Sequence, residues 1–229
     1  MKFINIICLL VFILFGCQSN TNSNYSNSTL LPNASGENNE MLIVMDSTKF
    51  KGEIGRLLVG TYGSYIYGLP QPENNFDLIF IRPRNFNSIL KYAKNIVVTF
   101  SLEGNSLDSK ILRKEFNKKS IDKIKNDSSI FFFKRKDQYA KGQTILYLFS
   151  KTDNELINKI KKNKKMLLKY FQNEVSMRTS KKIFSKVEAN ISNKLFNDHR
   201  IKIKIPFGYD LAKNNNNFFW LRYLEPDYE

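Results

Sequence analysis

Apolar residues occur along the chain in two kinds of pattern, and each kind predicts a different secondary structure. Short continuous apolar runs, which are typical of strands buried on both faces, predict strands over residues 41–45, 76–81, 95–102, 129–134 and 143–149. Apolar residues at helical spacing predict helices over residues 52–62, 85–92 and 109–126. Because strands and helices alternate, the predicted fold is mixed α/β (α+β), with helices packed on a mixed or antiparallel sheet.

A long amphipathic helical segment is predicted in the C-terminal half. Thr152 and Glu155 form a capping box at its start. Its apolar face consists of Leu156, Ile160, Leu167, Phe171 and Val175, and continues to Leu195. A polar patch around Thr179 interrupts this face, so the segment is either two helices or one kinked helix. The alternating residues 201–205 then predict a half-exposed strand, and residues 218–224 predict a last strand.

The first sixteen residues have the pattern of an export signal. Lys2 precedes an apolar run over residues 4–15, whose helical length of about 18 Å is short of the ~30 Å hydrocarbon core of a membrane. The run ends in Leu14-Phe15-Gly16-Cys17, which resembles the lipobox of bacterial lipoproteins. That resemblance implies a signal peptide over residues 1–16 and lipidation of Cys17, which would anchor the chain to a membrane. The alternative is an ordinary signal peptide in which Cys17 happens to occur.

The residues that follow predict the domain organisation. Residues 18–40 are rich in Ser, Asn and Thr and too polar to form a core, so residues 17–40 are predicted to be the lipidated Cys and a flexible tether. A single α/β domain is predicted over residues 41–229, with a division into subdomains 41–108 and 109–229 as an alternative. The stretch Gln18-Ser19-Asn20 lacks the Asp that can retain lipoproteins at the inner membrane. It also lacks an early acidic cluster of the kind linked to surface export. We therefore expect the chain to be anchored in the outer membrane, on the side that faces the periplasm.

Six parts of the sequence together carry a family resemblance: 31–36, 40–46, 68–73 with 76–78, 94–97, 137–143 and 219–222. With these segments the chain resembles an uncharacterised lipoprotein family of Bacteroidetes-type bacteria, whose domain has no known function. The most specific of these segments are Gly68-Leu69-Pro70-Gln71-Pro72-Glu73 and the Ala-Lys-Gly-Gln stretch at 140–143. Members of that family continue beyond the Trp-Leu-Arg strand, so the resemblance implies either C-terminal truncation or loss of the last strands. It implies no activity, substrate or site.

The chain is strongly basic, with 36 Lys and Arg against 21 Asp and Glu and a formal net charge of +15. Such a surface suits an anionic partner, such as acidic phospholipid or an acidic polymer. The simpler interpretation is that Lys residues form solvated helix faces, as Lys161, Lys162, Lys164 and Lys165 do opposite Ile160. Only eight of the basic residues are Arg, and no Arg and aromatic residues alternate on one surface, so we expect no nucleic acid partner.

Candidate catalytic chemistry is sparse in the sequence. His199 is the single His, and no phosphate-binding, zinc-binding or serine-nucleophile motif occurs, so no cofactor and no metal are predicted. Paired carboxylates serve glycosidases without any His. The candidates in the first half are Asp46, Glu53, Glu73 and Asp77. A His-independent hydrolase of cell-wall or capsular glycan is therefore the alternative function.

The loop before the second strand is the candidate binding site. Two prolines at alternate positions favour an extended backbone that holds Gln71 outward, and tyrosines precede them. The candidate binding-loop residues are Tyr65, Tyr67, Leu69, Pro70, Gln71 and Pro72. The alternative is a stiff connection whose tyrosines cover the sheet edge. We expect a lipid-anchored cell-envelope protein, a non-catalytic binding or accessory module for an envelope protein or polymer.

Overall fold

The computed structural model describes residues 31–223, and these contain a mixed five-stranded sheet. Its strands are β1 (Glu40–Met45), β2 (Asp77–Ile81), β3 (Asn95–Ser101), β4 (Phe132–Lys136) and β5 (Thr144–Ser150). They lie in the order β2-β1-β3-β5-β4, in which only β4 is antiparallel to its neighbour. The sheet therefore takes strands from both sides of residue 108.

Six helices surround or extend this sheet among the described residues. They are α1 (Ser47–Lys51), α2 (Glu53–Tyr62), α3 (Leu107–Lys114), α4 (Lys118–Asn126), α5 (Asp153–Ile183) and α6 (Ala189–His199). The mixed α/β class and the long C-terminal helical segment are thus confirmed. A second, two-stranded antiparallel sheet follows α6, formed by β6 (Tyr209–Asn215) and β7 (Phe218–Tyr223). None of the helices between residues 31 and 223 has the length and apolar character needed to cross a membrane.

The core lies on both faces of the five-stranded sheet, as the continuous apolar strands predict. On one face Ile43, Val97 and Leu148 pack against α2 and α5. On the other face Val98 and Phe149 pack in a cluster that includes residues of the shorter helices α3 and α4. The long helix α5 therefore covers one face of the sheet, and this helix also forms one wall of the candidate site described below.

Three predicted elements differ from the structure for local reasons. The helix over 85–92 is wrong: two 3-10 turns, Pro83–Asn85 and Leu90–Tyr92, occur instead, because the Asn87 side chain accepts the backbone N–H groups of Ile89 and Leu90. The helix over 109–126 is two helices, because the Asn117 side chain caps the second one. The strand over 201–205 is not formed. Adjacent Pro206 makes only an isolated bridge to Val187.

The predicted tether ends earlier than residue 40. Backbone hydrogen bonds join Lys141 N to Pro32 O (2.7 Å), Ala34 N to Lys141 O (2.8 Å) and Ser35 N to Tyr92 O (2.8 Å). Residues 32–35 therefore lie against the rest of the domain, and the boundary is nearer residue 31 than residue 40. Cys17 and the signal-like segment lie outside the described residues.

Gly55 in α2 tests the close packing between the first two helices. A Cβ atom at this position would lie 1.7 Å from the backbone oxygen of Phe50, whereas a Cβ at Gly60 in the same helix would meet nothing within 4 Å. We expect Gly55→Ala to lower the free energy of unfolding by about 2–3 kcal/mol. Gly60→Ala, as the matched control, is expected to raise it by roughly 0.5–1 kcal/mol. Urea unfolding of both variants checks this, and equal effects would contradict the packing.

Candidate functional site

The loop between α2 and β2 forms a short hairpin, which we call the aromatic hairpin (residues 64–75). Tyr65 and Asn74 form an antiparallel bridge, and the backbone N–H of Ile66 donates to Glu73 O at 2.8 Å. Gly68 near the tip has φ +90°, a left-handed conformation that glycine adopts without strain. The predicted binding loop is therefore a defined projection.

The side chains of the aromatic hairpin point into solvent. Tyr65 is 70% exposed, Tyr67 is fully exposed and Leu69 is 43% exposed, and Pro70, Gln71 and Pro72 are exposed too. The interpretation in which the tyrosines cover the sheet edge does not fit Tyr65 and Tyr67. Tyr62, by contrast, is fully buried at the end of α2. The hairpin thus presents apolar side chains that have no packing role in the domain.

A groove of about 380 Å³ lies between the base of the aromatic hairpin and α5. Its apolar lining comes from Ile66, Phe76 and Val175, and its polar lining from Asn39, Asn75, Gln172, Ser176, Thr179 and Ser180. Its volume is within the range of small-molecule and peptide sites, and all of these lining residues are uncharged. The groove therefore suits hydrogen bonding to a neutral polar group, and no Lys or Arg is among its lining residues.

Amide side chains fix the base of the aromatic hairpin against α5. Gln172 Nε2 donates to Asn75 Oδ1 at 2.7 Å, and Asn75 Nδ2 donates to Ser64 O at 2.8 Å. Because Gln172 is exposed, its amide oxygen remains open to solvent at the groove. These hydrogen bonds hold the base of the aromatic hairpin in a fixed position. The exposed aromatic tip projects from that base, and oriented amide groups lie beside it.

The aromatic hairpin leads into β2, which is the outermost strand of the sheet. The hydrogen bond from Asp77 N to Asn39 O (2.9 Å) shows that the backbone of Asp77 faces β1. In a strand the backbone N–H and C=O groups of successive residues point to opposite sides. Those of Leu78 and Phe80 therefore point away from the sheet. Such an edge accepts an additional extended segment.

The carboxyl ends of the parallel strands hold a second polar cluster, at the position where open α/β sheets commonly bind ligands. Asp46 follows β1 and is buried. Its carboxylate accepts hydrogen bonds from Thr48 N (2.8 Å), from Ser109 Oγ (3.0 Å) and from the Ser106 hydroxyl. Burial acts to raise the pKa of Asp46, but the hydrogen bonds from Ser106, Thr48 and Ser109 outweigh it and hold the pKa well below its usual range.

The other charged side chains of this cluster also have partners in the protein. Lys49 Nζ donates to Ser101 Oγ at 2.7 Å and forms an ion pair with Asp153, and Ser101 Oγ donates to Asp153 at 2.5 Å. Buried Asp108 binds Arg82 and Arg84, whose hydrogen bonds lower its pKa despite its burial. These groups satisfy one another, so we interpret this edge as a structural network. Asp46, directly after the apolar run 41–45, is the one member that a sequence pattern marks.

Asp46 and Asp77, two carboxylates of the hydrolase alternative, lie too far apart to act as a pair. Asp46 lies at the carboxyl end of β1, whereas Asp77 lies at the amino end of the neighbouring parallel strand. At about 3.3 Å per residue the six residues of β1 place them roughly 20 Å apart, against about 5–9.5 Å between glycosidase carboxylates. Glu53 pairs with Lys161 at 2.5 Å, and Glu73 lies on the aromatic hairpin.

Comparison with known families gives a match over residues 34–184 to a family described as a domain of unknown function (DUF8532). The chain belongs to this family. The DUF8532 domain spans about two-thirds of the sequence and includes the five-stranded sheet, the aromatic hairpin and all of α5. This confirms the expectation of an uncharacterised domain. No curated protein and no solved structure matches the chain.

Proposed function

We propose that the chain is a lipid-anchored cell-envelope protein whose DUF8532 domain is a non-catalytic binding module. The observation that carries the proposal is the aromatic hairpin, which projects Tyr65, Tyr67 and Leu69 into solvent from a rigid base. Tyrosines on a rigid mount supply contact area at a low entropic cost on binding. The aromatic hairpin and the groove at its base together form the contact surface.

The proposed location derives from the sequence of the N-terminal segment. A short basic start, an apolar run and a Leu-Phe-Gly-Cys stretch precede a polar segment of about fifteen residues that reaches the domain. Two or more acyl chains on Cys17 and its amino group would hold such a chain stably at a bilayer. We place the domain on the periplasmic side of the outer membrane.

The proposed ligand is an extended segment of an envelope protein. The uncharged amide and hydroxyl lining of the groove suits peptide groups, and the outward N–H and C=O groups of Leu78 and Phe80 offer strand pairing next to it. The exposed tyrosines would add apolar contacts beside that strand. A neutral envelope polymer has similar hydrogen-bonding groups, and the experiment below separates the two.

We expect a photo-crosslinking residue at position 67 to capture one dominant envelope protein in intact cells with native Cys17. A crosslinker at Ile89, which is 73% exposed and lies outside the aromatic hairpin, is the matched control. With the crosslinker at the exposed position 71 instead, the double variant Tyr65→Ser with Tyr67→Ser is expected to reduce recovery of that protein at least tenfold, since aromatic contacts dominate interfaces. Its melting temperature should stay unchanged, because both side chains are exposed.

Mass spectrometry of the crosslinked products decides between the outcomes. Capture of the same protein from positions 67 and 89 would overturn the assignment of the aromatic hairpin as the contact. Products that contain glycan in place of protein would replace the protein partner with an envelope polymer. The absence of any product specific to position 67 would overturn the binding function of this surface.

A further inference from the structure

The two-stranded sheet formed by β6 and β7, which we call the C-terminal ribbon, presents an aromatic outer face. Phe218 and Trp220 alternate along β7 and are 54% and 53% exposed. In the register of the ribbon they lie opposite Asn215 and Lys213, which are exposed on the same face. Two large aromatic side chains and a Lys therefore share one solvent-facing surface.

The other face of the C-terminal ribbon is already covered by α6. The ring of Phe219 lies 5.3 Å from that of His199, and Asn214 bonds both His199 (2.6 Å) and Asp198 (2.6 Å). Arg222 follows Trp220 by two residues on β7, so its ion pair with Asp210 (3.1 Å) lies on the outer face, beside the two aromatic side chains. The contacts with α6 leave this outer face, where Phe218 and Trp220 are half exposed, as the solvent-facing side of the ribbon.

The segment around the C-terminal ribbon combines exposed apolar side chains with positive charge. Residues 181–223 contain nine Lys and Arg against three Asp and Glu, and three further acidic residues follow at 225, 227 and 229, so the segment is net positive. Its other exposed large apolar residues are Ile183, Val187, Phe196, Ile201, Ile203, Phe207 and Tyr223. Almost all of this segment lies beyond the DUF8532 match, which ends at residue 184. A basic surface with exposed aromatic and aliphatic groups complements an anionic membrane, both in charge and in polarity.

We propose that the outer face of the C-terminal ribbon docks on the surface of an anionic lipid bilayer. Trp220 enters the headgroup region, where its amphipathic indole is favoured, and Phe218 enters beside it, while Lys213 of the same face and Lys202 and Lys204 of the preceding segment contact lipid phosphates. The inference builds on the proposed anchoring, since a tether at Cys17 would hold the domain at a high effective concentration beside a bilayer. It adds a second, reversible contact that the lipid anchor does not supply.

Trp220 is the only Trp in the chain, so intrinsic tryptophan fluorescence reports on this face alone. The experiment uses the chain from residue 18 onward, so that neither acyl chains nor the apolar run over residues 4–15 plays a part, mixed with vesicles of phosphatidylglycerol and phosphatidylcholine. We expect a blue shift of the emission and quenching by lipids brominated in the upper acyl chain. Pure phosphatidylcholine vesicles and high salt should abolish both signals.

Charge variants with a matched control locate the contact. Replacing Lys202, Lys204 and Lys213 by Gln should weaken vesicle affinity about fivefold for each Lys removed. The control replaces Lys162, Lys164 and Lys165 on α5 by Gln, which is the same change in net charge on another exposed surface, and should leave the Trp220 signal unchanged. Phe218→Ser should reduce the quenching while Trp220 remains as the reporter.

Three outcomes would overturn the inference. The first is an emission spectrum that anionic vesicles do not change. The second is an equal loss of affinity in the α5 control, which would indicate attraction spread over the whole surface. The third is a blue shift that depends on protein concentration without lipid, which would assign the face to a second copy of the chain. Loss of acylation at Cys17 in cells would remove the proposed anchor and leave this vesicle result intact, so the two proposals fail separately.

Discussion

Phe171→Ala is expected to lower the free energy of unfolding by about 4 kcal/mol, because it removes a fully buried ring from the centre of an aromatic cluster. The ring of Phe171 lies 5.6 Å from that of Tyr62, 6.1 Å from that of Phe76 and 5.3 Å from that of Tyr170. Urea unfolding followed by circular dichroism measures the change. Phe196→Ala, at a half-exposed position on α6, is the control and should cost much less.

The same substitution also tests how the aromatic hairpin is held. Tyr62 and Phe76 flank the hairpin on its two sides, and both rings pack on Phe171. We therefore expect Phe171→Ala to increase hydrogen exchange at the amides of Ile66 and Asn75 and to weaken partner capture at position 67. A decrease in the free energy of unfolding below about 1.5 kcal/mol, with unchanged amide hydrogen exchange in the aromatic hairpin, would contradict this account of the core.

Asp46→Ala is expected to lower the free energy of unfolding by about 3 kcal/mol at neutral pH, since it removes a buried carboxylate that accepts several hydrogen bonds. It also removes the cap of α1. The control is Asp127→Ala: Asp127 accepts hydrogen bonds from Ser129 N and Oγ in a similar local pattern, but at the surface, and a small effect is expected.

The contribution of Asp46 should also depend on pH in a definite direction. The pKa of Asp46 is lower in the folded chain than its ordinary value of about 3.9, so its contribution is fully present above that value and is lost as the pH falls below it. The stability difference between the wild type and Asp46→Ala should therefore narrow between pH 6 and pH 3. A difference that stays constant, or widens, on acidification would show that Asp46 is not held ionised by this network.

The sequence predicts the strands of the sheet well where burial alone determines them. Residues 41–45, 95–101 and 144–149 are mostly apolar, and the structure buries them on both faces as the three central strands. Their order in the sheet could not be predicted, since strand pairing depends on contacts between distant segments. The cluster at the carboxyl ends is not predictable for the same reason: Ser106 reaches Asp46 only when β3 lies beside β1, and Asp153 reaches Ser101 only when β5 lies beside β3.

Polar residues were the main source of error in the predicted helices and strands. The long amphipathic segment is two helices, as one of the two alternatives predicts, but the break follows Ile183 and does not fall at the polar patch around Thr179. The patch is polar because it meets the amino edge of the sheet: Arg178 Nη2 donates to Asn95 Oδ1 at 2.5 Å, and Asn38 donates to Thr179 at 3.3 Å. Strand β6 was missed because its polar residues show no apolar alternation, and its pairing with β7 is what makes it a strand.

For the candidate site, the sequence predicted the loop and its exposed residues but not the groove. Two prolines and the tyrosines mark residues 65–72 as an extended, projecting segment, and the structure shows such a projection. The groove is formed with Gln172 and Val175 of α5, about a hundred residues away in the chain. No spacing pattern links these residues to Asn75, so only the packing of α5 on the sheet brings them together.

The length of α5 has a mechanical consequence when the two proposed contacts are considered together. Gln172 lines the groove and Ile183 ends the helix next to the segment that carries the C-terminal ribbon, a separation of about 16 Å along a continuous helix. A helix of this kind acts as a fixed spacer. It would hold a bound partner at a set height above the bilayer. The anchored domain would thus fix the distance between that partner and the membrane.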